Sequence, residues 1–323
     1  MGGIAEVCTL QPYRRMGIAT RLLRDMIRLM IRKKFPVSML YGRDTFYRRV
    51  GYERAMVVHW VRAPRQVLPG YAERQNMRDF EMADLPAVMK AYDLTYGRRS
   101  CAMTRNEVHW KVRILGRSRV RVYDRAGIKG YYAYNARDEK VNGGTRKVLF
   151  VEEAGFRGPE AIRGIIGDLG RFEDCEIIAY GGPPGDKILG GLSVPGSSVS
   201  VGFSGMFRVN DVMATLESLR NEFAGFRGKL ALRVRDDVIP GNSGAFTIDG
   251  SGSETAISRG EPADGCQWLD VDIRELSQLV PGTLSVAHLA SIGKIAFSSG
   301  KALSLAERLF PARCPFQPSL DHF

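Results

Sequence analysis

The chain of 323 residues has little cysteine, and what it has forms no pattern. Cys8, Cys101, Cys175, Cys266 and Cys314 are scattered, with no Cys-x-x-Cys spacing, which argues against a zinc site, a redox pair and a disulfide framework. Long apolar runs are missing too: none approaches the ~18 residues that a membrane span needs, and no signal peptide opens the chain. A reduced, cytoplasmic protein without a metal is the expectation. Histidine is equally sparse. His59 sits in an apolar strand, His109 beside Trp110 and His288 in a short helix; none is paired with a nucleophile or a metal spacing, so each reads as structural, while His322 stands apart because it adjoins the chain terminus.

What is present suits a soluble globular protein, with 44% hydrophobic and 25% charged residues. The length predicts two or three compact units. The formal charge of +12 is concentrated: residues 1–65 hold 14 Lys or Arg against 4 Asp or Glu. Arg21, Arg24, Arg28 and Arg32 fall on one helix face, with Lys33 and Lys34 at its C-terminal end, where basic charge complements the helix dipole. No recognised nucleic-acid module accompanies them, so neither a nucleic acid nor a membrane is expected as partner.

The run Val7 to Arg21 reads as a strand, a turn and a helix start. Ile4, Val7 and Cys8 suit a strand reaching Thr9, and Pro12 closes it. From Gly17 onward apolar residues recur at helical spacing in two rows: Ile18, Leu22, Met26, Met30 and Ala19, Leu23, Ile27, Ile31. The turn carries Arg14-x-x-Gly17-x-Ala19, whose small residues let a phosphate approach the backbone. The first amides of the helix lack intrahelical partners and lie at the positive end of its dipole. Further on stands Phe46-Tyr47-Arg48-Arg49-Val50-Gly51-Tyr52-Glu53.

Strand, turn and helix followed at this distance by such a run resemble the GNAT N-acetyltransferases. The resemblance implies that the amides of Arg15, Gly17, Ile18, Ala19 and Thr20, with the charges of Arg14 and Arg15, hold the pyrophosphate of acetyl-CoA, and that the main chain of Val7 and Thr9 meets the pantetheine arm. It also implies that Tyr47 protonates the departing thiolate, whereas Tyr52 is structural. Enzymes of this fold place three strands and two helices before the cofactor strand, and only six residues precede Val7. The front of this domain is therefore expected to be missing.

Beyond Pro64 and Pro69 the pattern restarts. A helix near Asp84-Leu85-Pro86, a hairpin around Arg125-Ala126-Gly127, a strand Val148 to Glu152, a helix Gly158 to Phe172 and a strand Glu176 to Tyr180 repeat the order of an acetyltransferase domain. Its phosphate turn is degenerate: Ala154 to Glu160 lacks Arg-x-x-Gly-x-Ala, and Glu152, Glu153 and Glu160 would repel a phosphate. Gly181 to Lys187 lacks the Gly-Lys-Ser/Thr of a phosphate loop and reads as a plain loop, and Gly190 to Ser204, rich in Gly and Ser, leads to the third segment. The third segment is predicted as a helix Val209 to Arg220, strands Lys229 to Arg235, Gly244 to Asp249 and Trp268 to Ile273, and short helices Leu276 to Val280 and Val286 to Ile292.

The runs Arg208-Val209-Asn210-Asp211, Leu230 to Asp237, Leu269 to Asp272 and Ala306 to Pro311 resemble a sterol-carrier-like domain. The whole order resembles the Eis-type (enhanced intracellular survival) acetyltransferases. The fold class follows as α/β (α+β): tandem GNAT acyl-CoA N-acyltransferase folds, the first incomplete (1–66) and the second degenerate (67–205), then a sterol-carrier-like α+β domain (206–323). The resemblance implies acetyl transfer from acetyl-CoA, as cosubstrate, to an amine such as an aminoglycoside, a polyamine or a lysine side chain. It implies a homo-oligomer, with a hexamer as the family's best-known state, and a role for the carboxylate of Phe323 as the base. The alternative reading is a non-catalytic acyl-CoA or lipid-binding protein that has lost catalysis with its front end.

Overall fold

The computed structural model describes all residues, 1–323, and its chain falls into two compact units. One joins Met1–Met56, Ser204–Arg313 and Phe323; the other joins Val57–Phe203 and Cys314–His322. The division differs from the three consecutive segments read from the sequence. Val57–Pro64 pairs within the sheet of the middle segment, and Met206–Val209 is a strand of the first sheet, not the beginning of a helix.

In the first unit a four-stranded sheet runs in the order Gly2–Ile4, Val37–Leu40, Met206–Val209, Glu53–Arg54. The first pair is parallel and the other two are antiparallel. The helix Ile18–Arg32 packs on it through Leu23, Ile27 and Met30. The two predicted apolar rows are used unevenly: Ile18 and Leu22 are exposed while Met30 of the same row is buried, and Met26 and Ile31 reach the core from its margin. The predicted strand to Thr9 ends at Ile4, because Glu6 has φ 53° and turns the chain out of register with its neighbour. A five-stranded sheet follows in the order Ala256–Arg259, Gly244–Asp249, Lys229–Arg235, Gln267–Asp272, Ala296–Phe297. Side-chain caps start its helices: Asp211 on Val212–Ser218, Asp272 on Ile273–Leu279, Ser285 on Val286–Ser291 and Ser299 on Gly300–Leu309.

The second unit is a seven-stranded sheet in the order Ser198–Phe203, Val57–Pro64, Ile177–Gly182, Gly144–Phe156, Ile128–Val141, Arg119–Asp124, Met77–Asp79. Alternation along the strands separates two cores. Tyr123, Tyr132 and Tyr180 meet the helix Pro159–Leu169 on one face; Val122, Tyr131 and Ala133 meet the helix Leu85–Tyr96 on the other. The Gly- and Ser-rich stretch Gly190 to Ser204 contributes part of a short helix, Lys187–Leu192, and the edge strand. No helix is long and apolar enough to cross a membrane.

Candidate active site

Gly17 caps the helix Ile18–Arg32 with φ 75°, and no side chain bonds to the amides that follow it. Arg15 is also left-handed, with φ 65°. For a residue with a Cβ that costs roughly 1 kcal/mol, a strain that tends to persist where function requires the shape. The turn borders a cavity of about 650 Å³ lined by Val7, Cys8, Thr9, Tyr13, Arg14, Arg15, Gly17, Ile18, Ala19, Thr20, Arg43, Phe46 and Arg49. Every residue expected to contact the cofactor lines it. Its four arginines face no acidic lining residue, so helix dipole and side-chain charge both favour an anion.

Because the chain leaves the sheet at Glu6, Val7 to Thr9 carry no strand pairing. Their main-chain groups thereby make no ladder bonds, and the Thr9 carbonyl accepts Nε of Arg14 at 3.0 Å. Arg43, Phe46 and Arg49 are cavity residues that the sequence reading did not single out. The signal was available, since Arg43 and Arg49 flank the Phe46-Tyr47 pair.

Tyr47 ends the short helix Asp44–Tyr47 and is 9% exposed. Its ring stands edge-on to Phe46 and Tyr52, at 5.0 and 6.4 Å between centroids. A side chain at Gly42 would overlap that ring, so the glycine makes room for it. Burial pushes the Tyr47 phenol above its ordinary value, so it remains the neutral phenol that any tyrosine is at neutral pH. Tyr52 is fully buried, and its hydroxyl lies 2.6 Å from Oγ of Ser38.

Phe323 belongs to the first unit, although the nine residues before it belong to the second. Its ring packs on Gly3, leaving no space for a Cβ there, and meets Tyr41 edge-on at 5.5 Å. Tyr41 precedes Gly42, so Phe323 and Tyr47 rest on adjacent residues at the end of one strand.

The degenerate turn of the second unit differs from its expected form. Its acidic residues are partnered: Glu153 by Arg105, Glu152 by Arg137 and Glu160 by Arg125. Charge repulsion is therefore a weaker argument than it looked. The stronger one is Pro159, which follows Gly158 at the first position of the helix and removes an amide from the set that binds anions.

Residues 1–55 match the sequence model of the acetyltransferase (GNAT) domain and residues 212–318 that of the sterol carrier protein domain. No curated protein matches. Among solved structures, a GCN5-related N-acetyltransferase from Anabaena variabilis aligns over 99% of this chain and 81% of its own, at 20% identity and a TM-score of 0.79. One from Kribbella flavida covers 99% and 80%, at 19% identity and a TM-score of 0.75. Eis1 from Mycobacterium abscessus covers 99% and 82%, at 18% identity and a TM-score of 0.73. The chain thus carries a GNAT acetyltransferase domain followed by a sterol carrier protein domain, in the fold of these solved structures. Its fold is also that of Eis1.

Proposed function

We propose that the chain transfers acetyl from acetyl-CoA to a primary amine: an aminoglycoside, a polyamine or a lysine side chain. The observation that carries the reading is the uncapped helix start beside a cavity that holds four arginines and no acid. The amides of Arg15 to Thr20, with Arg14 and Arg15, would hold the pyrophosphate, and the main chain of Val7 and Thr9 the pantetheine arm. Acetyl-CoA supplies an activated acetyl group as a thioester. Tyr47, a neutral phenol at neutral pH, would give its phenolic proton to the departing sulfur. The terminal carboxylate of Phe323, ionised at neutral pH with an ordinary value near ~3.5, would orient the substrate ammonium and take its proton. Cytoplasmic location belongs to the same reading, as does a homo-oligomer. The open sheet edge Ser198–Phe203, with Val199 and Val201 exposed, supports self-association, which light scattering would register.

Thiol release from acetyl-CoA across a panel of aminoglycosides, polyamines and lysine peptides tests the activity; no release with any amine would overturn it. The terminal role has its own test. One residue added after Phe323 is expected to lower kcat on the order of a hundredfold with acetyl-CoA affinity nearly unchanged, and full activity in the extended chain would exclude the carboxylate.

A further inference from the structure

Arg208 is a fully buried arginine in the middle of the first unit's small sheet, on the strand Met206–Val209. Its Nη2 donates to Oδ2 of Asp236 at 2.7 Å, but buried Nε and Nη1 meet no acceptor. Leaving two such donors unsatisfied is expensive, and an apolar residue would fill a sheet core more cheaply. The guanidinium lies against the backbone of Gly51, where a Cβ would overlap Nη1. Gly51 in turn has φ 82°, closes the turn Arg48–Val50 and donates its amide to the Arg48 carbonyl at 3.1 Å.

Just past the end of the strand, Asn210 accepts a hydrogen bond from Oγ of Ser38 at 2.9 Å, and Ser38 lies against the Tyr52 hydroxyl. Tyr52 donates its amide to the carbonyl of Tyr47 at 3.3 Å. Arg274, from the helix Ile273–Leu279, donates Nε to the Arg48 carbonyl at 2.9 Å. The segment Tyr47 to Tyr52 is therefore seated on side chains contributed by residues 208–274, far along the chain. Asp236 is itself immobilised: Oδ1 accepts the amides of Val238 and Ile239, and Oδ2 also accepts Nδ2 of Asn242 at 2.9 Å.

We propose that Arg208 is a positioning residue for Tyr47: its guanidinium, oriented by Asp236, supports Gly51 and thereby sets where the Tyr47 ring stands at the end of its short helix. The inference rests on Tyr47 being the general acid of the proposed reaction. A flat, rigid fork suits this seat, whereas an ammonium on a flexible stem offers Asp236 the same charge without a surface for Gly51 to rest on. Displacing a reacting group by about 1 Å can cost on the order of a hundredfold in rate.

The test is a double-mutant cycle with Arg208→Lys, Tyr47→Phe and both together, reading kcat and the KM for acetyl-CoA. Tyr47→Phe alone is expected to lower kcat by about a hundredfold. Arg208→Lys is expected to lower kcat at least tenfold with the KM for acetyl-CoA within twofold of wild type. Adding it to Tyr47→Phe should bring no further loss, because the group it positions is gone. If the two losses multiply, or if Arg208→Lys keeps full kcat, Arg208 does not act through Tyr47 and the proposal fails while Tyr47 stands as the acid. If Tyr47→Phe is as active as wild type, the assignment of the acid fails and this proposal with it. Should Arg208→Lys not fold, Asp236→Asn goes through the same cycle, since it weakens the charge that orients Nη2, and the same outcomes decide.

Discussion

At Gly17 a side chain must accept a φ of 75° and project into the open space before the helix amides. Gly17→Glu adds a negative charge where the cofactor's phosphates would bind, and calorimetry should show acetyl-CoA binding abolished. Gly158→Glu, at the corresponding turn of the second unit, should leave the affinity unchanged. His322 gives a different residue-scale prediction. Burial lowers its imidazole to about 4, against an ordinary 6.5, so between those values the unfolded chain binds more protons than the folded one. Its contribution to stability is thus full above pH 6.5 and is lost as pH falls toward 4. Burial raises Asp321 in the opposite sense, so the comparison has to be with His322→Asn: melting of the two proteins should show a smaller acid-induced loss in the variant. Gly17, Arg14 and Tyr47 could be singled out from the sequence because they stand together in short motifs, whereas Arg208 could not, since its meaning depends on Gly51 and Asp236.

At the scale of elements, the tail Cys314–His322 is held within the second unit by a buried polar cluster, beside the apolar packing of Phe316 and Leu320 and the bonds of Ser319 to Glu152. Arg105 donates to both oxygens of Glu153 at 2.9 and 2.6 Å and to both oxygens of Asp321 at 2.8 and 2.9 Å. All three side chains are fully buried. The guanidinium lies 3.9 Å over the Tyr92 ring, Tyr131 donates to Glu153 at 2.6 Å, and His109 meets Asp321 at 2.9 Å. Removing the arginine would leave two buried carboxylates without it, a loss that runs to ~3–5 kcal/mol when a buried pair is broken. Arg105→Met should therefore lower the denaturant midpoint sharply and increase proteolysis of the tail, and an unchanged midpoint would show that the cluster adds little. Elements were legible in proportion to how local their signals are. The hairpin at Arg125-Ala126-Gly127 formed where expected, with Ala126 and Gly127 both at positive φ. The turn at Asn142-Gly143, another strong hairpin signal, extends the next pair of strands well past the predicted limits. The strand Ser198–Phe203 was hidden by its Gly and Ser content and by its place at an edge, where only one neighbour pairs with it.

For the molecule as a whole, charge makes the prediction. Ten of the twelve surplus positive charges lie in the first 65 residues, and Arg14, Arg15, Arg43 and Arg49 line the cavity that would receive a phosphate-rich cofactor. Such a field raises the encounter rate with an anion and is screened within roughly 10 Å at 0.1 M salt. The KM for acetyl-CoA should rise severalfold from low to physiological ionic strength, and a KM indifferent to salt would show that the charge is merely solvated.

Sequence alone determined the helix that opens at Gly17, the spacing between its turn and the Tyr47 run, the absence of that turn's pattern from the middle of the chain, and the strands Lys229–Arg235 and Gly244–Asp249 of the last sheet. These depend on neighbouring residues, on the periods of helix and strand, and on the few residue types that a turn or a cap accepts. Tertiary structure decided which residues share a unit. Met206–Val209 joins the first sheet because its backbone finds partners in Val37–Leu40 and Glu53–Arg54; Phe323 rests on Gly3 and Tyr41; and Arg208 is buried beneath Gly51 because Asp236 is there to meet it. No local pattern encodes such pairings, since a buried charge or an added strand is stable only with a partner that the folded chain brings from far away in sequence.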